Sequence, residues 1–256
     1  MNVKQSNVLG IIPARFNSSR LEGKPLELIA GKPMIQHVYQ RAKEILEHVI
    51  VATDDQRIAT CVKSFAGEVQ MTRQDHENGT NRCLEAYNSW QKKNDFNPEI
   101  IINIQGDEPL LKKKHIEQLI SCFKDKETTI ATLGLEIEKG SILESGKVYL
   151  VKDSLDFAMY FSRHPIPFLR DMTLSKWTSY HTYLQHIGLY AFTVNALTEF
   201  CNLDSSEIEK LEKLEQLRWL ENGGKIKVAI TKEFSQPVDT IDDLNKVREL
   251  FKLKGN

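Results

Sequence analysis

The stretch V-L-G-I-I-P-A-R-F-N-S-S-R-L-E-G-K-P, residues 8–25, decides the fold. Its apolar run, Val8 to Ile12, fits a buried strand and is too short for a helix. Pro13 is expected to end that strand, because proline cannot continue a central ladder. A polar loop follows, carrying Arg15, Arg20 and Lys24 with Glu22 as its acidic residue. Three cations leaving the carboxyl end of a strand in an open α/β sheet suit a polyphosphate, since ligands of such sheets bind there. A solvated basic loop is the plainer alternative. Neither G-x-x-x-x-G-K-S/T nor G-x-G-x-x-G occurs in the chain.

Outward from this stretch, the first half alternates helical and strand-like segments. Helix is predicted over Met34–Leu46, Arg57–Phe65 and Asn81–Trp90, and strand over Val49–Ala52, Val69–Met71 and Ile100–Ile104. That alternation implies a mostly parallel sheet between helices, with polar strand ends (T-D-D and Q-G-D-E-P) gathered at one ligand-binding edge. The second half predicts strands at Ile130–Ile137, Lys147–Val151 and His186–Phe192. Between the last two, Phe157–Leu169 ends in a proline-broken loop, and Asp171–Tyr183 reads as a surface excursion directed to a second subunit. Ser206–Asn222 is predicted to be one helix, with a capping box from Ser206 to Glu209 and Gly223-Gly224 at its end. A last helix is expected from Ile241 to Leu253, capped by Asp239 or Thr240. No composition shift marks a linker, so residues 1–256 are expected to form one α/β domain with an appendage.

Lys and Arg number 34 against 35 Asp and Glu, which argues against general nucleic-acid binding. The four cysteines are scattered without a C-x-x-C pair and suggest core positions, not a zinc site or a disulfide framework. No apolar run approaches the ~18 residues of a membrane span and the start lacks a leader-like apolar core, so a cytoplasmic protein without membrane partners is expected.

Several residues are candidates for chemistry. Asp107, just past the Ile100–Ile104 strand, is placed to hold Mg²⁺ through oxygen, or else to satisfy turn amides. Asp239 is either a second metal aspartate or a helix cap. Asn78, Gly79 and Thr80 precede a helix, where they offer amides and a hydroxyl to an anion or base, or form an ordinary capped loop. His76 has no nucleophile to serve. On a continuous helix Glu215 falls between Ile208 and Leu211 on the apolar arc, where it needs either a salt-bridge partner or a hydroxyl-rich ligand. His186 and Tyr190, four apart on a strand, face the same side.

These motifs in order, with G-K-P-M-I-Q-H-V, M-T-R-x-D-H-x-x-G-T, Y-F-S-R, H-I-G-L-Y, L-E-K-L-E-Q-L-R-W-L-E-N-G and V-D-T-x-x-D-L, resemble the 3-deoxy-manno-octulosonate (Kdo) cytidylyltransferases from about Val8 to Leu250. The resemblance implies a Rossmann-like nucleotidyltransferase fold with an appended excursion for dimerisation and sugar binding, usually in a homodimer. It also implies conversion of CTP and Kdo to CMP-Kdo and pyrophosphate with Mg²⁺, for lipopolysaccharide synthesis. By the same resemblance Arg15, Arg20 and Lys24 bind the triphosphate, Arg15 and Lys24 as part of the catalytic set, while Asn78, Gly79, Thr80, Arg82 and Gln105 frame the nucleotide. Asp107 and Asp239 hold the metal, and Arg73, His186, Tyr190, Glu215 and Gln216 meet the sugar acid. The chain departs from the usual pattern at Asn78 and Asn81, at Glu22 in place of a proline, and in the shortened segment before Lys147.

Overall fold

Strand β1 (Val8–Ala14) runs through Pro13, two residues beyond the stop expected there. The reason lies in which neighbour each residue faces. Ile11 O accepts from Ile104 N at 2.9 Å, and Pro13, two residues on, faces the same way. On that side the ladder ends at Ile11 opposite Asn103, so the N–H that Pro13 lacks falls past the last partner. On the other side pairing continues to Ala14 opposite Thr53.

The computed structural model describes residues 7–17, 20–141, 143–144 and 146–254; Ser18 and Ser19 of the opening motif lie outside the described residues. These sort into two compact units. The first joins the chain up to Ile116 with the stretch from Ser235 onward. It holds a small ribbon of β2 (Leu28–Ile29) and β3 (Lys32–Pro33), then α1 (Met34–Lys43), β4 (His48–Thr53), α2 (Gln56–Ser64), β5 (Glu68–Met71), α3 (Gly79–Gln91) and β6 (Ile100–Asn103). Four strands line up as β6-β1-β4-β5, all parallel. Every residue of β6 is buried, which is why its sequence reads as an unbroken apolar run. The helix Ile241–Lys254 returns to this unit and buries Leu244 and Val247, with Val238 before it, against Ile29, Met34 and Leu110.

After α4 (Lys113–Cys122), the second unit (Glu117–Phe234) contains β7 (Ile130–Glu136), β8 (Tyr149–Lys152), β9 (Ala158–Ser162), α5 (Trp177–Tyr180), β10 (Leu184–Thr193), α6 (Val194–Asn202), α7 (Glu207–Glu212), α8 (Gln216–Glu221) and β11 (Lys227–Thr231). Here β10 pairs antiparallel with β7 and β8, β8 with β9, and β11 runs parallel to β7. Trp177, expected on a surface excursion, is 3 % exposed and packs with Leu143, Tyr149 and Tyr183 of its own unit. Tyr180 of the same excursion, and Phe168 of the proline-broken loop before it, remain exposed.

The single helix expected over Ser206–Asn222 is two. The capping box at Ser206 and Glu209 is present, but α7 stops at Lys213, whose φ of 52° is left-handed, and α8 starts anew with Glu215 at its N-cap. The arc that placed Glu215 beside Leu211 is therefore absent, and Leu211 is 76 % exposed. The acid that goes inside is Glu209, which accepts from Arg218 Nε at 2.7 Å. No helix among the described residues is long and apolar enough to cross a membrane.

Candidate functional site

In the first unit the loops after β1 and β6 meet the turn before helix Ile241–Lys254 around a cleft of about 250 Å³. Two glycines shape it. Gly23, at φ 70°, turns the chain so that its N–H reaches Phe16 O at 2.9 Å, and a single 3₁₀ turn, Lys24–Leu26, follows. At Gly106 an added Cβ would lie 2.9 Å from Pro13 O, so only glycine lets the Q-G-D-E-P loop come this close to the end of β1. Val238 N donates to Asp107 O at 2.9 Å, which fastens the two aspartate-bearing loops by backbone.

The side chains follow from that framework. Lys24 Nζ donates to Asp107 Oδ2 at 2.6 Å and to Val238 O at 2.8 Å, and lies 3.5 Å from Asp239 Oδ1. Arg20 Nη2 donates to the same Asp239 oxygen at 2.8 Å. The capping alternative for Asp239 is resolved by its neighbour: Asp243 N donates to Thr240 Oγ1 at 3.2 Å, so Thr240 caps the helix and the Asp239 carboxylate turns to the cations. Asp107 likewise spends its carboxylate on an ammonium. Glu108, beside it, is buried and hydrogen-bonded by Ser235 Oγ. Burial, with Asp107 and Asp239 adding to it, pushes its pKa up to about 8.

Arg15, Asn78, Gly79, Arg82 and Gln105 also line the cleft, together with His76 and Glu77, which the sequence reading left unassigned. Asn78 is the N-cap of α3, its Oδ1 accepting from Asn81 N at 2.8 Å. Thr80 is fully buried beneath the cleft wall, near Asn103 Nδ2. Arg82 is 4 % exposed and held by Asp54 Oδ2 at 3.0 Å and by Thr72, which fixes the ends of β4 and β5. Arg73 is exposed and lies between Asp75 and Glu85, whose carboxylate also binds His76. Glu22 is outside the cleft lining, and its charge supports Arg57, whose guanidinium covers the Phe16 ring.

The remaining predicted residues form a polar cluster in the second unit. His186 and Tyr190 do share a side, across a bulge in β10, with ring centroids 5.3 Å apart. The hydroxyl of Thr132 donates to Leu189 O at 2.8 Å, so at 2.9 Å it must accept from His186 Nε2. That network assigns the imidazole tautomer and leaves Nδ1 as an acceptor. Burial lowers the His186 pKa to about 3 and raises that of Tyr190 well above its ordinary value, Glu215 adding to the latter. Among the described residues, Tyr190 Oη and Gln216 Nε2 are buried without a hydrogen-bond partner. Unmatched buried polar groups are costly, and a ligand rich in hydroxyl or carboxylate oxygens would satisfy them. A further device went unread: at the end of β9, Ser162 Oγ and Arg163 N donate to the Glu212 carboxylate at 2.7 and 2.9 Å, and Arg163 Nη2 to Lys213 O at 3.2 Å, clamping the break between α7 and α8. The Y-F-S-R and L-E-K-L-E motifs were its only sequence signal.

Two carboxylates facing one cation, in a cleft whose other charges suit phosphate, form an oxygen-only donor set that fits Mg²⁺. Such an ion commonly takes one or two carboxylates and completes its shell with phosphate and water. Among the described residues no three His, Cys, Asp or Glu side chains gather as a closed metal cage.

The cytidylyltransferase family model matches residues 9–227. The 3-deoxy-manno-octulosonate cytidylyltransferase of Parabacteroides distasonis is 46 % identical over 245 residues, covering 93 % of this chain and 95 % of that one. The 8-amino-3,8-dideoxy-manno-octulosonate cytidylyltransferase of a Shewanella species is 45 % identical over 248 residues, covering 95 % and 98 %. A solved structure of CMP:2-keto-3-deoxy-manno-octonic acid synthetase complexed with CTP superposes with a TM-score of 0.86 at 40 % identity, covering 97 % of this chain and all of that one. With the match running through both units, the chain belongs to the cytidylyltransferase family.

Proposed function

We propose that the protein transfers the cytidylyl group of CTP to the anomeric hydroxyl of Kdo, giving CMP-Kdo and pyrophosphate. The observation that carries this reading is the meeting of Lys24, Asp107 and Asp239 in one cleft with Arg15 and Arg20 at its rim. The anomeric oxygen forms a bond to the α-phosphorus as the bond to the pyrophosphate oxygen breaks, and the hydroxyl proton leaves to solvent. No side chain needs to become covalently attached, so the protein's work is positioning and charge neutralisation. Arg15, Arg20 and Lys24 offset the triphosphate charge, and Asn78, Gly79, Arg82 and Gln105 frame the nucleotide, with Thr80 supporting them from below. Mg²⁺ held by Asp107 and Asp239 would supply further neutralisation and polarise the phosphate. In the second unit His186 Nδ1, Tyr190, Gln216 and Glu215 are suited to the hydroxyl groups and carboxylate of a sugar acid, and Arg73 keeps its assignment to the same substrate. A cytoplasmic homodimer belongs to the same proposal, with exposed Phe168 and Tyr180 available to a second copy.

The test is pyrophosphate release with Kdo and with its 8-amino analogue, each against CTP, UTP and dCTP. Kdo with CTP should be the preferred pair, and silence with every acid would mean a binding protein of this fold. Asp107→Asn and Asp239→Asn should each lower kcat by about 100-fold or more with little change in melting temperature. Wild-type turnover in either variant would assign that aspartate to structure alone.

A further inference from the structure

Lys24 occupies an unusual place for a phosphate-binding lysine. Its ammonium donates to Asp107 Oδ2 at 2.6 Å and lies 3.5 Å from Asp239 Oδ1, so it sits between the two oxygens a divalent cation would use. An ion bound to Asp107 Oδ2 would stand ~2.1 Å from that oxygen. An ammonium 2.6 Å from the same atom cannot keep its place beside it. The competition is strong because the Lys24 side chain is 13 % exposed, so solvent screens it little. Arg20 also touches Asp239, but its side chain is 63 % exposed and it leaves Asp107 alone. Lysine can yield where arginine would not, since its charge rides on a flexible four-carbon stem and needs no planar partner.

We propose that Lys24 is a built-in competitor for the divalent cation: it neutralises Asp107 and Asp239 until a triphosphate offers the ammonium a better partner, so metal and triphosphate load together. The inference rests on the reading of these aspartates as metal ligands. It assigns Lys24 a second role besides phosphate binding, that of excluding metal from the cleft when no polyphosphate is present. A nucleoside monophosphate, lacking the β and γ charges, would not draw the lysine away.

The experiment uses Mn²⁺ as probe, with free Mn²⁺ followed by electron paramagnetic resonance in the full-length protein without nucleotide or sugar acid. Lys24→Met and Lys24→Gln should each bind Mn²⁺ about 10-fold or more tightly than wild type, while Lys24→Arg should stay weak. Arg15→Gln removes a cation from the same cleft and should change the affinity less than about 2-fold, which separates displacement from general charge. Lys24→Met and Lys24→Gln equal to wild type would overturn the competition; if Asp107→Asn alone, with Lys24 intact, then bound Mn²⁺ more weakly than wild type, the metal reading would still stand. Tight binding that persists in Lys24→Met with Asp107→Asn would overturn both, because the ion would be elsewhere. The two uncharged variants differ in polarity, so the test survives failure of one to fold.

Discussion

At His186 a single hydrogen bond settles what the side chain can do. With Nε2–H given to Thr132 and the pKa lowered to about 3 by burial, the imidazole is neutral across the physiological range and presents Nδ1 as an acceptor. It is thus unsuited to proton transfer at neutral pH and well suited to holding a hydroxyl. The same shift makes a stability prediction. Between about pH 6.5 and 3 the unfolded chain takes up a proton on this histidine that the folded chain refuses, so folding loses stability as pH falls through that window. His186→Asn removes the titration. Its melting temperature should therefore decline less from pH 7 to pH 5 than that of wild type, and parallel declines would show that the ring protonates in place.

At the scale of elements, legibility followed periodicity and failed where a single backbone conformation intervened. The strands β1, β4 and β6 announced themselves as apolar runs because both faces are covered, and the capping box at Ser206 was readable as chemistry. Pro13 misled because its effect depends on which neighbour it faces, and that is set by where β6 stops. Lys213 misled more deeply: left-handed backbone without glycine leaves no mark in the sequence, and it divided one expected helix into α7 and α8. Glu215 was singled out for an arc that does not exist, whereas Glu209, read only as part of a cap, is the buried acid. It joins α7 to Arg218 of α8, and breaking a buried pair strands the partner charge. Glu209→Ala should cost ~3–5 kcal/mol in denaturant unfolding while leaving both substrate KM values near wild type. Glu215→Ala should do the reverse, raising the KM for the sugar acid about 10-fold at an almost unchanged melting temperature. A strong destabilisation at Glu215 with an unaltered KM would return that residue to the scaffold. That the loops after the parallel strands meet at one edge was legible from the strand–helix alternation, but the pairing of Lys24 with Asp107, 83 residues away, was not.

Over the whole molecule, the chain builds its first unit in two visits, before and after residues Glu117–Phe234. Closing the ends of so long an insertion costs entropy that only the folded insertion can reduce. We therefore propose that residues 1–256 unfold as one domain, and calorimetry should record a single two-state transition, with two resolved peaks overturning that view. The interrupted path also has a consequence for synthesis. A ribosome delivers Arg15, Lys24 and Asp107 early, then makes all of the second unit before Asp239 exists. Throughout that interval the nascent chain already has its lysine and one carboxylate to pair, yet lacks the second carboxylate. A product cut short by translational failure anywhere before residue 239 should accordingly be inactive, lacking both the second carboxylate and the helix whose Leu244 and Val247 cover Ile29, Met34 and Leu110.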